Sequence, residues 1–330
     1  MSKLDLTMSF GNYDRTQALI NGSVQIEGCN PIILPLEPEE VFHRAFRYKE
    51  FDVTEISLSS HMMTLARDES DYIAIPVFLS RVFRQSGIYV RTDRIKSPKD
   101  LVGKTIGVPE YQITANVWIR GILKDEYGIN PEDIHWARGG IEEPGRDERS
   151  PIDLPETIKI TQIPDDRTLS EMLESGEIDG YIGARAPSCF LRGAENVGRL
   201  FGEDYIEAEK DYYNRTQIFP IMHTVAIKRS LVEKNPWLPV SLYKAFIKSK
   251  EAAMKELNEI CHLAVSLPWM VHHYNETKKI MGDDIWKYGL EENRHVLETF
   301  ARYHFEQGLS KRLVKPEELF SESSLDLSKI

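Results

Sequence analysis

His223 asks first for a chemical explanation in this 330-residue chain, because it interrupts the apolar run Ile218-Phe219-Pro220-Ile221-Met222-His223-Thr224. Imidazole titrates near neutral pH, so in a strand that reaches a ligand it can serve as a general acid. In a strand that does not, it is a hydrogen-bonded core residue, and the sequence leaves both readings open. Glu110, Tyr111 and Thr114 form a second group, in Glu110-Tyr111-Gln112-Ile113-Thr114-Ala115, where a strand hands over to a long helix. Free N–H groups at a helix start favour an anion, and the Thr114 hydroxyl can join them or merely cap the helix. Arg185 follows the apolar strand Asp179 to Gly183, at the edge where open α/β sheets take ligands, and a guanidinium there suits a carboxylate or a surface ion pair. Ser59, Ser60 and His61 stand at the corresponding edge after Phe51 to Leu58, and Arg81 and Arg84 follow another strand.

Several familiar chemistries are excluded. Gly103-Lys104-Thr105 lacks the glycine that a phosphate loop needs five residues earlier, where this chain has Pro98. No dinucleotide glycine fingerprint and no nucleophile elbow occur. His272 and His273 are adjacent rather than one turn apart, so they point about a quarter turn from each other on a helix and do not suit a shared metal; no metal and no cofactor is expected. The net charge of −11, from 41 basic and 52 acidic residues, argues against nucleic acid, and no apolar stretch approaches a membrane span.

The elements that must position these residues follow from periodicity. Leu4 to Phe10 alternates as a strand, Arg15 to Ile20 begins a helix, and Pro31 to Leu36 is an apolar strand, a βαβ rhythm. Helix Glu39 to Tyr48 precedes strand Phe51 to Leu58, and Ser59 and Ser60 predict the cap of a helix through Ala66. Strands are expected at Tyr72 to Phe78 and Gly87 to Val90, Leu101 to Val108 reads as a tight turn into a short strand, and a helix follows over Tyr111 to Tyr127. The polar stretch 139–155 reads as a surface loop, either a connector or a lid. Beyond it come strand Ile158 to Ile163, helix Thr168 to Ser175 stopped by Gly176, and an apolar strand region Ile218 to Lys228. From Pro239 onward the pattern is almost entirely helical, with helices at Leu242 to Leu257, His262 to Tyr274 and Leu290 to Phe305.

A chain of this length predicts two α/β lobes around a ligand cleft, lobe 1 being 1–108 plus 220–330 and lobe 2 being 109–219, with a helical C-terminal region. The start Met1 to Phe10, carrying Lys3 and Asp5, reads as a strand rather than an export signal. Three dispersed cysteines (Cys29, Cys189, Cys261) suit reduced thiols, so a cytoplasmic location is expected.

Asp100 to Val108 and Leu173-Glu174-Ser175-Gly176-Glu177-Ile178-Asp179-Gly180 resemble the type 2 periplasmic binding protein fold. A closer resemblance is to the 4,5-dihydroxyphthalate decarboxylase family, through Tyr13-Asp14-Arg15-Thr16, Phe51 to Ser60, Ile75 to Phe78, Val108 to Leu123, and Ile218 to Thr224 with Pro236-Trp237. The chain departs from that pattern around His61 and at Ala184-Arg185. The resemblance implies cofactor-independent loss of one ring carboxylate, giving protocatechuate and carbon dioxide. For that reaction the chemistry of the residues, rather than the resemblance, suggests His223 as the acid with Glu110 as runner-up, Arg185 and Arg81 as carboxylate clamps, and Ser60, Tyr111 and Thr114 as orienting hydroxyls. His61 and Arg15 complete the expected substrate contacts. The expected partner is a small aromatic carboxylate, with a homo-oligomer left open. The alternative is a solute-binding protein of the transporter type, without chemistry.

Overall fold

A computed structural model describes residues 3–148 and 150–325. In chain order its strands are β1 (Leu4–Phe10), β2 (Cys29–Pro35), β3 (Val53–Ser57), β4 (Tyr72–Arg81), β5 (Ile88–Arg91), β6 (Thr105–Val108), β7 (His135–Arg138), β8 (Ile160–Gln162), β9 (Gly180–Ile182), β10 (Val197–Arg199) and β11 (Ile221–Lys228). They form two sheets, ordered β2-β1-β3-β11-β4 and β10-β5-β9-β6-β7-β8. The fold class is α/β, and the chain divides into two units: Met1–Arg81, Ile221–Leu297 and Lys315–Ile330 in one, Val82–Pro220 and Glu298–Val314 in the other.

In the first unit β1 runs parallel to β2 and β3, as the βαβ rhythm requires, whereas β11 enters antiparallel between β3 and β4. Met8, Phe10, Val53, Ile56, Ile75 and Val225 are all buried in its core. Helix Leu238–Leu257 closes on it through Phe246, whose ring meets Phe10 edge-on at 5.5 Å. The pairing of β4 with β11 is irregular: Ile221 faces Arg81, His223 faces Ser80, and Val225 faces Ile75. Pro76 lies in this stretch of β4 and has no N–H for the ladder. The Thr224 hydroxyl lies 3.0 Å from the Ile75 carbonyl and 3.1 Å from that of Val77, and the Pro76 carbonyl accepts from Gly289 N–H at 2.8 Å. The carbonyls released by the slip are therefore satisfied rather than buried bare.

The second unit is built round helix Thr114–Tyr127, whose residues 114 to 123 are all buried. Trp118 packs against Phe300 and Tyr303 at centroid distances of 5.2 and 5.7 Å. On the sheet, Tyr89, Leu169, Leu173, Ile178 and Tyr181 make a contiguous apolar cluster. Gly176 ends helix Leu169–Ser175 at φ 81°, the left-handed conformation its position predicts.

Three expectations need correction. Residues 82–108 belong with the second unit, not with 1–81, because β5 pairs with β9 and β10 and β6 pairs with β7 and β9. The helix Leu58–Ala66 is capped by Ser57, whose hydroxyl accepts the Ser60 N–H, so Ser59 and Ser60 lie inside the helix. The expected helix from His262 starts only at Met270, since 258–269 is irregular. Among the described residues of 139–155 there is no helix or strand. None of the described helices is long and apolar enough to cross a membrane.

Candidate active site

Glu55 is the residue the sequence reading passed over. It lies in the middle of β3, 0% exposed, in a strand whose five residues are all buried. A bare carboxylate there would be costly, so its partners define the site. Val225 stands directly opposite Glu55 and His223 directly opposite Ser57, which makes Glu55 and His223 diagonal neighbours on one face. His223 Nδ1 donates to Glu55 Oε1 at 2.6 Å. The Tyr13 hydroxyl donates to the same oxygen at 2.9 Å, and Gly11 N–H donates to Oε2 at 2.8 Å. Burial alone would raise the Glu55 pKa; the bonds from His223, Gly11 and Tyr13 outweigh it and hold the carboxyl below its ordinary value. Glu55 is an anion.

The turn after β1 is tied to deliver these donors. Thr16 Oγ1 accepts the Tyr13 N–H and lies in hydrogen-bond contact with the Gly11 carbonyl, both at 2.9 Å. A Cβ at position 11 would lie 2.5 Å from Tyr13 Cζ, so only glycine lets the phenol ring fold back over this backbone. The Phe42 ring, from helix Pro38–Tyr48, meets the His223 imidazole edge-on at 4.8 Å. The imidazole is thus held on one side by a carboxylate and on another by an aromatic edge. Its side chain remains 18% exposed, and Nε2 takes no hydrogen bond among the described residues. That leaves one ring nitrogen to give or take a proton.

The second candidate carboxylate is held differently. Glu110 is 3% exposed and its Oε1 accepts from Arg146 Nε and Nη2 at 3.0 and 2.6 Å, while Gln112 donates to Oε2 at 3.3 Å. Glu148 Oε1 accepts the Tyr111 N–H at 2.5 Å. Burial and the nearby Glu110 charge push the Glu148 carboxyl up to about 7, against bonds from the Tyr111 and Gln112 N–H groups and the charge of Arg138. Two residues of the 139–155 loop are therefore anchored at the start of the 114–127 helix. Tyr111 is fully buried beneath the Arg120 guanidinium, 3.6 Å from its ring centre, and Arg120 donates to the Tyr111 carbonyl at 2.7 Å and to Gln307 at 2.8 Å.

The remaining sequence-expected residues separate into accessible and sealed. Arg185 is exposed, on the segment after β9. Thr114 is the first residue of its helix and is buried. Arg15 lies between two rings, 4.3 Å from the centre of Tyr13 and 4.0 Å from that of Trp286, and donates to the Leu79 carbonyl and to Asp14. It thus packs on Tyr13, one of the donors to Glu55, and is ion-paired with Asp14. Ser60 is buried and bonded to Ser57 within its helix. His61 and Arg81 do not suit the substrate contacts expected of them. His61 is sealed in the core, Nε2 donating to the Leu319 carbonyl at 2.9 Å, and burial drops its pKa to about 4. Arg81 is buried and spends its guanidinium on the Lys287 carbonyl and the Asn293 side chain. Among the described residues no group of three or more His, Cys, Asp or Glu side chains could hold a metal ion.

No protein-family model matches the chain. A curated relative does: the 4,5-dihydroxyphthalate decarboxylase of Comamonas testosteroni is 49% identical over 331 residues, covering 100% of both chains. The chain belongs to the 4,5-dihydroxyphthalate decarboxylase family. The family's Pseudomonas putida enzyme of the same name is also 49% identical, over 64% of this chain and 83% of its own. Among solved structures, this family member is similar to the periplasmic aliphatic sulphonate binding protein of Escherichia coli (TM-score 0.54, 14% identity, 97% of this chain and 98% of that one). It is also similar to the alkanesulfonate-binding protein of Xanthomonas axonopodis pv. citri (TM-score 0.51, 12% identity, 98% and 99%). These likenesses establish a periplasmic-binding-protein-like fold. The sequence offers a weak signal for Glu55: Phe51-Asp52-Val53-Thr54-Glu55-Ile56-Ser57-Leu58 carries two acidic residues, and Glu55 is the one nearer the centre of the strand, where a charge costs most to bury.

Proposed function

We propose that the chain decarboxylates 4,5-dihydroxyphthalate to protocatechuate and carbon dioxide, with His223 as the general acid and without metal or organic cofactor. The observation that carries the reaction is 49% identity to a curated decarboxylase across the full length of both chains. The solute-binding alternative has only fold likeness behind it, and fold does not carry function.

Each carboxylate of the substrate is para to a ring hydroxyl. When that hydroxyl loses its proton, electron density reaches the ring carbon that bears the leaving carboxylate. A proton delivered to that carbon from His223 Nε2 gives a dienone, the C–C bond to the carboxylate breaks, carbon dioxide leaves, and its bonding pair restores the aromatic ring. The hydroxyl proton goes to solvent and is regained by the phenolate that forms when the dienone carbonyl takes the electrons back, so the net change is one proton on the ring carbon in place of one carbon dioxide. The Glu55 anion supports this role, because a carboxylate on Nδ1 stabilises the imidazolium that must donate from Nε2. We also place the protein in the cytoplasm, a reading supported by three free thiols, Cys29, Cys189 and Cys261.

The test is incubation with 4,5-dihydroxyphthalate in metal-free buffer while substrate absorbance and released carbon dioxide are followed. Stoichiometric release with formation of protocatechuate is expected. Saturable binding, seen as thermal stabilisation without carbon dioxide release, would return the chain to the solute-binding class.

A further inference from the structure

We propose that Tyr13 and Gly11 are positioning residues for the reaction: their O–H and N–H occupy Glu55 so that it can fix the tautomer and charge of His223 and nothing else. This rests on the decarboxylase reading above. A carboxylate has about four acceptor directions, and a buried one left with spare capacity takes up a proton or turns toward another donor. Here Oε2 is held by Gly11 N–H at 2.8 Å, and Oε1 is shared between the Tyr13 hydroxyl at 2.9 Å and His223 Nδ1 at 2.6 Å. Both fixed donors are neutral, so they steady the anion without cancelling its charge, and the imidazole is the one bonded partner that can carry the balancing proton.

Among the described residues, the following groups face this arrangement. Arg15 lies over the Tyr13 ring and is bonded to Asp14, and Glu37 acts on Tyr13 at longer range. From helix Pro38–Tyr48 the contact to the imidazole is the apolar Phe42 edge. Burial, reinforced by the neighbouring Glu55 charge, raises the Tyr13 phenol well above its ordinary value, so it remains a hydrogen-bond donor throughout the working range.

Removing one neutral donor leaves Glu55 a stronger base, which strengthens its hold on the imidazolium. Since the acid must be protonated to act, activity is lost as pH rises through its pKa, and that alkaline limb should move upward. For Tyr13→Phe, which keeps the ring over Gly11 and Arg15, the limb of kcat should rise by roughly one pH unit, as expected for a single hydrogen bond to a charged group, with KM unchanged. Glu55→Gln, which removes the anion that stabilises the imidazolium, should lower kcat by roughly 10²–10⁴-fold and move the limb downward, leaving KM near its starting value. Gly11→Ala, which displaces the Tyr13 ring, should move the limb as Tyr13→Phe does. A limb unmoved or moved downward in Tyr13→Phe, with the wild-type enzyme active, overturns the positioning role. A wild-type chain that releases no carbon dioxide instead removes the decarboxylase reading itself, so the two failures are distinguishable. Substrate-induced thermal stabilisation of each variant reports that its fold is retained.

Discussion

Glu55 and Glu110 are both buried carboxylates in a chain of 52 acidic residues, and they differ in what answers them. Glu110 is answered by a guanidinium, which is charged at every pH the protein meets, so the pair is a fixed clasp. Glu55 is answered by an imidazole and two neutral donors, so its partner can exchange a proton while the carboxylate stays in place. A charge bonded to a permanent counter-charge builds structure, whereas one bonded to a titrating group builds a proton donor. This is why His223 rather than Glu110 is assigned the acid.

The strongest way to break that comparison is to exchange the two assignments. His223→Gln should cut kcat by roughly 10²–10⁴-fold with substrate still bound, while Glu110→Gln should leave kcat within about threefold; steady-state assays giving the reverse order would make Glu110 the acid. Next in size is the clasp itself. Arg146→Ala removes the guanidinium bonded to the buried Glu110 Oε1 and should cost about 2 kcal/mol in denaturant unfolding, and adding Glu110→Gln should recover part of that loss. A loss no smaller in the double variant would show that the two side chains are not coupled. The smallest effect belongs to Glu148, beside the clasp. Its carboxyl is raised to about 7 from an ordinary 4.5, so the neutral form is favoured in the folded chain. The stability this contributes is full below pH 4.5 and is lost as pH rises through about 7. Partial solvent exposure keeps the effect on the order of 1 kcal/mol, and Glu148→Gln should flatten the decline in melting temperature over that window. An unchanged decline would place the titration elsewhere.

Much of the scaffold was legible because it is local. The 2-residue alternation of Leu4 to Phe10 gives β1 with the same bounds, and Gly176 stops its helix where the left-handed turn requires. His223 was legible as one polar residue in an apolar run. Glu55 was less legible, because it shares its stretch with Asp52, Thr54 and Ser57 and because its partners Gly11, Tyr13 and His223 come from 44, 42 and 168 residues away, a pairing no local pattern contains. The reverse error occurred at His61 and Arg81. Each follows or ends a strand, where a ligand edge is expected, but the Leu319 and Lys287 carbonyls that absorb them lie 258 and 206 residues distant. The unit boundary failed for the same reason: β5 and β6 are near in sequence to the first sheet, yet their hydrogen bonds go to β7, β9 and β10.

The slipped pairing beside His223 acts as a key cut for one lock. In a regular ladder a strand can slide by two residues and find equivalent partners, but β11 meets uneven spacing across Arg81, Ser80 and Ile75. Such a slide would strand the Thr224 hydroxyl away from the two carbonyls it serves. The missing amide of Pro76 thereby supplies orientation memory: an absent hydrogen bond in β4 keeps an imidazole on its neighbouring strand aimed in a single direction.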